Sequence, residues 1–178
     1  DSVITLPRGS AALISSAAPA EGKDFAVILH YAEERSQGNP QVTALFEQMR
    51  KGTYAHRWFP KLGWKDIPAL LKMANSQRVL KSFPTNPLSS QSMDECLEGV
   101  AALWLIEGLQ EGGHLPSLNP ILIDRKAGLP LGQAVSIEQQ RKLLPRAQAA
   151  YGVWWKKVKD AGPNPGTHAL NGQGIFWY

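Results

Sequence analysis

The chain has 178 residues, 43% of them hydrophobic and 19% charged, with a formal net charge of +4 at pH 7. That composition describes a globular domain able to bury its own core without metals or disulfides, and it excludes a disordered polypeptide. The only cysteine, Cys96, excludes an intrachain disulfide, and no run of about 18 apolar residues offers a bilayer-spanning helix.

The first residues have little helical periodicity. Val3–Leu6 can make a short strand that Pro7 and Gly9 stop. The small-residue segment Ser10–Gly22 reads as an N-terminal arm. A helix follows from Asp24 to Ser36, with Phe25, Ile28, Leu29 and Ala32 at helical spacing. Asn39 and Pro40 then supply an N-cap and a first helical residue for a second helix, with Val42, Leu45, Phe46 and Met49 as its buried stripe and Gly52 as its stop. These two helices predict an antiparallel hairpin.

Tyr54–Trp64 is rich in aromatic rings, carries His56 and Arg57, and is interrupted by Pro60 and Gly63, so it reads as an ordered loop. Asp66 is placed to cap a third helix carrying Pro68 in its first turn and Ile67, Leu70, Leu71 and Ala74 on its apolar face. Arg78–Phe83 adds a further turn. The organising element is a helix over Met93–Glu111. Ser92 and Glu95 are spaced as a capping box, and Gly112–Gly113 is the stop. Its apolar residues surround the whole cylinder, the mark of a helix buried on several sides.

Beyond it, Ile121–Ile123 is expected to pair with Leu129–Leu131 as a small ribbon. Ser136 and Gln139 repeat the capping-box spacing before a last helical region that Pro145 is expected to kink or break. Ala147, Ala150, Tyr151, Trp154 and Val158 mark its buried face, and the apolar tail Ile175–Tyr178 is expected to pack back on the body. The expectation is a single all-α domain, 1–178, of five or six helices in antiparallel pairs, with arms at 1–22 and 161–178 around a helical body at 23–160.

The chain lacks G-x-S-x-G, P-loop, G-x-G-x-x-G and H-E-x-x-H patterns. His30, Glu33 and Glu34 share one helix face, but a metal needs three or four ligands converging in space, so neither metal nor cofactor is expected. Lys156, Lys157 and Lys159 cluster where a helix ends and cations are favoured anyway, so nucleic acid is not an expected partner. Ser89, Ser90 and Ser92 read as turn and cap residues. Glu98 and Glu107 on the central helix are the candidates for a carboxylate hydrolase, against the plainer reading that each is satisfied by a neighbouring cation or helix end. Gly99 and Gly108, unfavourable within a helix, require close approach by another backbone. The strongest interaction candidates are His56, Arg57, Trp58, Phe59 and Trp64, because Trp, Tyr and Arg dominate binding hot spots. The first expectation is a non-enzymatic domain that binds a protein partner; the alternative is the carboxylate hydrolase.

Two resemblances accompany this reading. I-P-A-L-L-K-M-A-N, a proline-bearing loop and L-E-G-V-A-A-L-W-L-I-E-G-L, over about Ile67–Gly108, resemble the paired helices of HEAT-type α-solenoids. That resemblance implies a helical-repeat fold presenting a protein-binding surface. F-P-T-N-P-L-S-S, E-C-L-E-G-V-A-A-L-W-L-I-E-G and P-S-L-N-P-I-L-I, over about residues 64–124, resemble uncharacterised bacterial exported proteins. This second resemblance implies a periplasmic or exported setting and brings no catalytic residue with it.

Overall fold

The computed structural model describes residues 2–5, 11–14, 39–55, 59–86, 95–126, 135–163 and 166–178. The chain divides into two compact units, Asp1–Gly38 and Asn39–Tyr178. In the first, β1 (Ser2–Thr5) and β2 (Ala11–Ile14) form an antiparallel hairpin, so part of the small-residue segment is a strand. The helix expected at Asp24–Ser36, with His30, Glu33 and Glu34, lies outside the described residues.

The second unit holds four described helices: α1 (Pro40–Lys51), α2 (Ile67–Met73), α3 (Glu98–Gln110) and α4 (Ile137–Val158). It also holds two antiparallel ribbons. β3 (Val79–Leu80) pairs with β4 (Cys96–Leu97), and β5 (Leu122–Asp124) pairs with β6 (Ile175–Trp177). The fold is therefore α+β, which corrects the all-α, HEAT-like expectation. A helical repeat joins its paired helices by a turn and stacks like units. Here β3 and β4 lie between α2 and α3, and α2 has only 7 residues.

Local signals explain where α1 and α4 begin. The Asn39 side chain accepts from Gln41 N–H at 2.9 Å, and Pro40 needs no donor at the first helical position. Gly52 closes α1 in a left-handed conformation, with φ of 77°. Ser136 Oγ accepts from Gln139 N–H at 3.2 Å while Gln139 Oε1 accepts from Ser136 N–H at 2.9 Å, a reciprocal box. The helix then runs through Pro145 unbroken, a correction to the expected break. Pro145 is exposed, and the buried residues on either side of it, Leu144, Ala147, Ala150 and Tyr151, hold the segment against the core.

The centre of the unit is α3, all 13 of whose residues are buried. It starts five residues later than the sequence suggests. Cys96 and Leu97 are extended and paired with β3, Glu95 is outside the helix, and Ser92 is outside the described residues. The helix's first free N–H groups find backbone carbonyls in place of a serine cap: Glu98 N–H donates to Arg78 O at 2.8 Å and Gly99 N–H to Ser76 O at 3.0 Å. Close approach accounts for both glycines. A Cβ on Gly99 would lie 2.6 Å from Ala74 O, and one on Gly108 would lie 2.5 Å from His114 O and against the Phe59 ring.

The tail docks on β5. Ile123 faces Phe176 in the register, whereas Leu129–Leu131 lies outside the described residues. The second edge of β5 is met by a buried side chain. Gln140 Oε1 accepts from Leu122 N–H at 2.8 Å, and its Nε2 donates to Leu122 O at 2.9 Å. One amide thereby copies the hydrogen bonding of a strand partner.

Candidate functional site

Two places in the second unit combine concavity with chemistry. The first involves the aromatic segment. His56, Arg57 and Trp58 lie outside the described residues; Phe59 and Trp64 are half-buried. Phe59 packs against Gly108, while Trp64 sits 5.8 Å from Trp154 and 5.3 Å from Trp155, ring centre to ring centre. Trp64 Nε1–H donates at 3.3 Å to Lys159 O, a carbonyl the helix end leaves without an intrahelical partner. These two rings thus face different elements, Phe59 towards α3 and Trp64 towards the end of α4.

Between α1 and the 59–62 segment runs a groove of about 470 Å3. Ala44, Leu45, Phe59, Pro60 and Leu62 supply its apolar walls, with Gln41, Gln48 and Lys61 at its polar margin. Gln41 donates to Lys61 O across it, which ties the segment to α1. Asn39 does the same from the cap, donating to the buried Asp66 carboxylate, which also accepts from Gly63 N–H at 2.7 Å. Polar bonds from Asn39 and Gln41 therefore tie the start of α1 to the 61–66 stretch.

The second place is a cleft of about 440 Å3 whose lining includes Glu107, Glu111, Arg125, His168, Phe176 and Trp177. Glu107 and Glu111 are one helical turn apart at the end of α3, and the 166–178 segment brings His168 over them. His168 Nδ1 is 3.0 Å from Glu107 Oε1 and 3.4 Å from Glu111 Oε1. The other Glu107 oxygen accepts from the Tyr151 hydroxyl, which in turn accepts from Trp177 Nε1–H at 2.8 Å. Burial, reinforced by the Glu107 carboxylate, holds the Tyr151 hydroxyl well above the ordinary tyrosine value. Arg125 lies over the Phe176 ring, 5.2 Å from its centre.

Glu98 and Glu107, the candidates for a carboxylate hydrolase, meet different partners. Glu98 is 2% exposed and held by Arg50, whose Nε donates to Oε2 at 3.2 Å and whose Nη2 bonds Oε1. That bond, opposed by partial burial, raises the Arg50 pKa. Glu107 faces the cleft, and its neighbours there are Glu111 and His168, neither of which the sequence pattern singled out. The i, i+4 spacing of the two glutamates was available in the sequence. His168, 61 residues from Glu107, sits in a Gly- and Pro-rich stretch with no pattern to mark it.

The fold defines a small α+β domain built on one wholly buried helix. The chain belongs to the DUF4943 family, a domain of unknown function, which matches residues 36–178. No curated protein and no solved structure matches it, so the resemblances to HEAT-type units and to exported proteins find no counterpart in those comparisons.

Proposed function

We propose that the domain of residues 39–178 is a non-enzymatic protein-binding module. Its contact face is the apolar groove between α1 and Phe59–Leu62, and His56, Arg57 and Trp58, the contact residues expected from the sequence, directly precede Phe59 in the chain. The observation that carries this reading is the groove itself: apolar walls tied together by the Gln41–Lys61 bond and a volume of about 470 Å3, the form in which a partner's amphipathic segment is received. Lys61 at the margin, and Lys51 exposed at the end of α1, favour a segment with acidic residues along its edge. The resemblance of residues 64–124 to bacterial exported proteins is the reason to seek the partner in the cell envelope first.

The test uses Ala44, which is exposed and lines the groove, so that a charge there obstructs binding without entering the core. A partner captured from envelope extract is titrated against the wild-type chain, Ala44→Glu and Trp58→Ala. Both variants should keep the wild-type melting temperature and bind at least about fivefold more weakly, the equivalent of about 1 kcal/mol. A partner that binds both folded variants as tightly as wild type would refute the groove as the contact face.

A further inference from the structure

We propose that Glu107, Glu111 and His168 bind a divalent transition-metal ion, for which Zn2+ is the fitting probe. The site is separate from the groove of the binding proposal and stands or falls independently of it. Each residue offers one ligand atom, and the three atoms lie within 4.8 Å of one another. Zn–N and Zn–O bonds of about 2.1 Å at tetrahedral angles place ligand atoms about 3.4 Å apart. The two distances from His168 Nδ1 to the carboxylate oxygens, 3.0 and 3.4 Å, are close to that edge length. One imidazole with two carboxylates is a borderline donor set, suited to zinc and its neighbours rather than to magnesium or calcium.

Two independent features support a cation at this point. The first is electrostatic. The carbonyl end of a helix carries partial negative charge and favours basic side chains, yet the last turn of α3 has none and bears Glu107, with Glu111 directly after it. An ion between the carboxylates would neutralise charge that the helix end otherwise concentrates. The second is the fixing of the ligands from behind, as metal ligands are oriented by outer hydrogen bonds. Tyr151, itself held by Trp177, occupies Glu107 Oε2 and leaves Oε1 turned towards His168. On the other side, the Thr167 carbonyl accepts from both Gln110 Nε2–H and Trp154 Nε1–H at 2.8 Å each, which anchors the residue before His168.

Glu107 is largely buried at 10% side-chain exposure, while Glu111 and His168 are near 45% and 44%. The site is thus anchored at its base and accessible at its rim. Three protein ligands leave a fourth position open towards the cleft, the arrangement of a centre that exchanges a water for a ligand rather than of a closed structural site.

The experiment is zinc titration of the chelator-stripped full chain by calorimetry, with metal content measured after dialysis and melting temperature measured with and without Zn2+. One zinc per chain should bind, and the melting temperature should rise. Glu111→Gln and His168→Ala, both at half-exposed positions, should keep the fold by circular dichroism. Each should lower zinc affinity at least 100-fold and abolish the thermal shift. Glu111→Gln carries the decision, because it removes a ligand while leaving all four histidines in place. No stoichiometric zinc in the wild-type chain, or equal binding by folded Glu111→Gln, would overturn the proposal and leave an imidazole–carboxylate ion pair.

Discussion

Replacing a helical glycine with alanine should have opposite signs at two positions in this domain. In an exposed helix interior the change stabilises by about 1 kcal/mol, because alanine loses less backbone freedom on folding. Gly152 on α4 is half-buried but has room for the change, since a Cβ there finds nothing within 4 Å. Gly99 on α3 has none. Its Cβ would lie 2.6 Å from Ala74 O, 2.8 Å from Leu144 Cδ2 and 2.9 Å from Ser76 O. Attractive contact between heavy atoms begins at about 3.5 Å, so all three are repulsive. Leu144 can turn aside; the two carbonyls cannot, and Ser76 O already accepts from Gly99 N–H at 3.0 Å. Overpacking costs about 1–3 kcal/mol and a weakened backbone hydrogen bond about 1 kcal/mol, against the gain of about 1. Gly99→Ala should therefore destabilise by about 1–3 kcal/mol and lower the melting temperature by several degrees, while Gly152→Ala raises it by about 2–4 °C. Urea unfolding followed by both tryptophan fluorescence and circular dichroism measures the difference. A Gly99→Ala chain as stable as wild type would show that the turn at Ala74–Ser76 and α3 do not approach as described.

Three further outcomes follow from the packing. Glu98→Gln removes the buried charge facing Arg50, whose remaining carboxylate partner is the half-exposed Glu47, and should cost about 1–3 kcal/mol in urea unfolding; a loss below half a kcal/mol would contradict that role. Deleting Gly174–Tyr178 removes β6, the buried Ile175 and the Trp177–Tyr151 bond, and should cost several kcal/mol, so an unchanged melting temperature would mean the tail is not part of the core. Burial raises Tyr54 to about 12 and Tyr151 well above the usual 10, so the fold favours their protonated forms. The stability this provides is complete below about pH 10 and is lost as pH rises towards 12. Ultraviolet titration at pH 11 should find both tyrosines un-ionised while the chain is folded, and their ionisation at pH 10 in a folded chain would refute their burial.

Features set by a few neighbouring residues were legible in the sequence. Asn39–Pro40 and Gly52 bound α1, Ser136 and Gln139 open α4, and the unbroken apolarity of Val100–Ile106 marks the buried helix. Each rests on hydrogen bonds or periodicity within about four residues, which the chain carries regardless of what surrounds it. The start of α3 was not legible, because its first N–H groups are satisfied by Arg78 and Ser76, some twenty residues away. Of the ribbons only a strand near Ile121–Ile123 was legible, since strands of two or three residues show no alternation and find their partners at a distance. Pro145 carried a local rule that tertiary burial outweighed. At the sites, the sequence supplied the aromatic segment and Glu107, but tertiary structure alone decided what meets them. It assigns Glu98 to Arg50, 48 residues away, and carries His168 to Glu107 and Glu111, because side chains on separate elements acquire their neighbours from the packing of those elements.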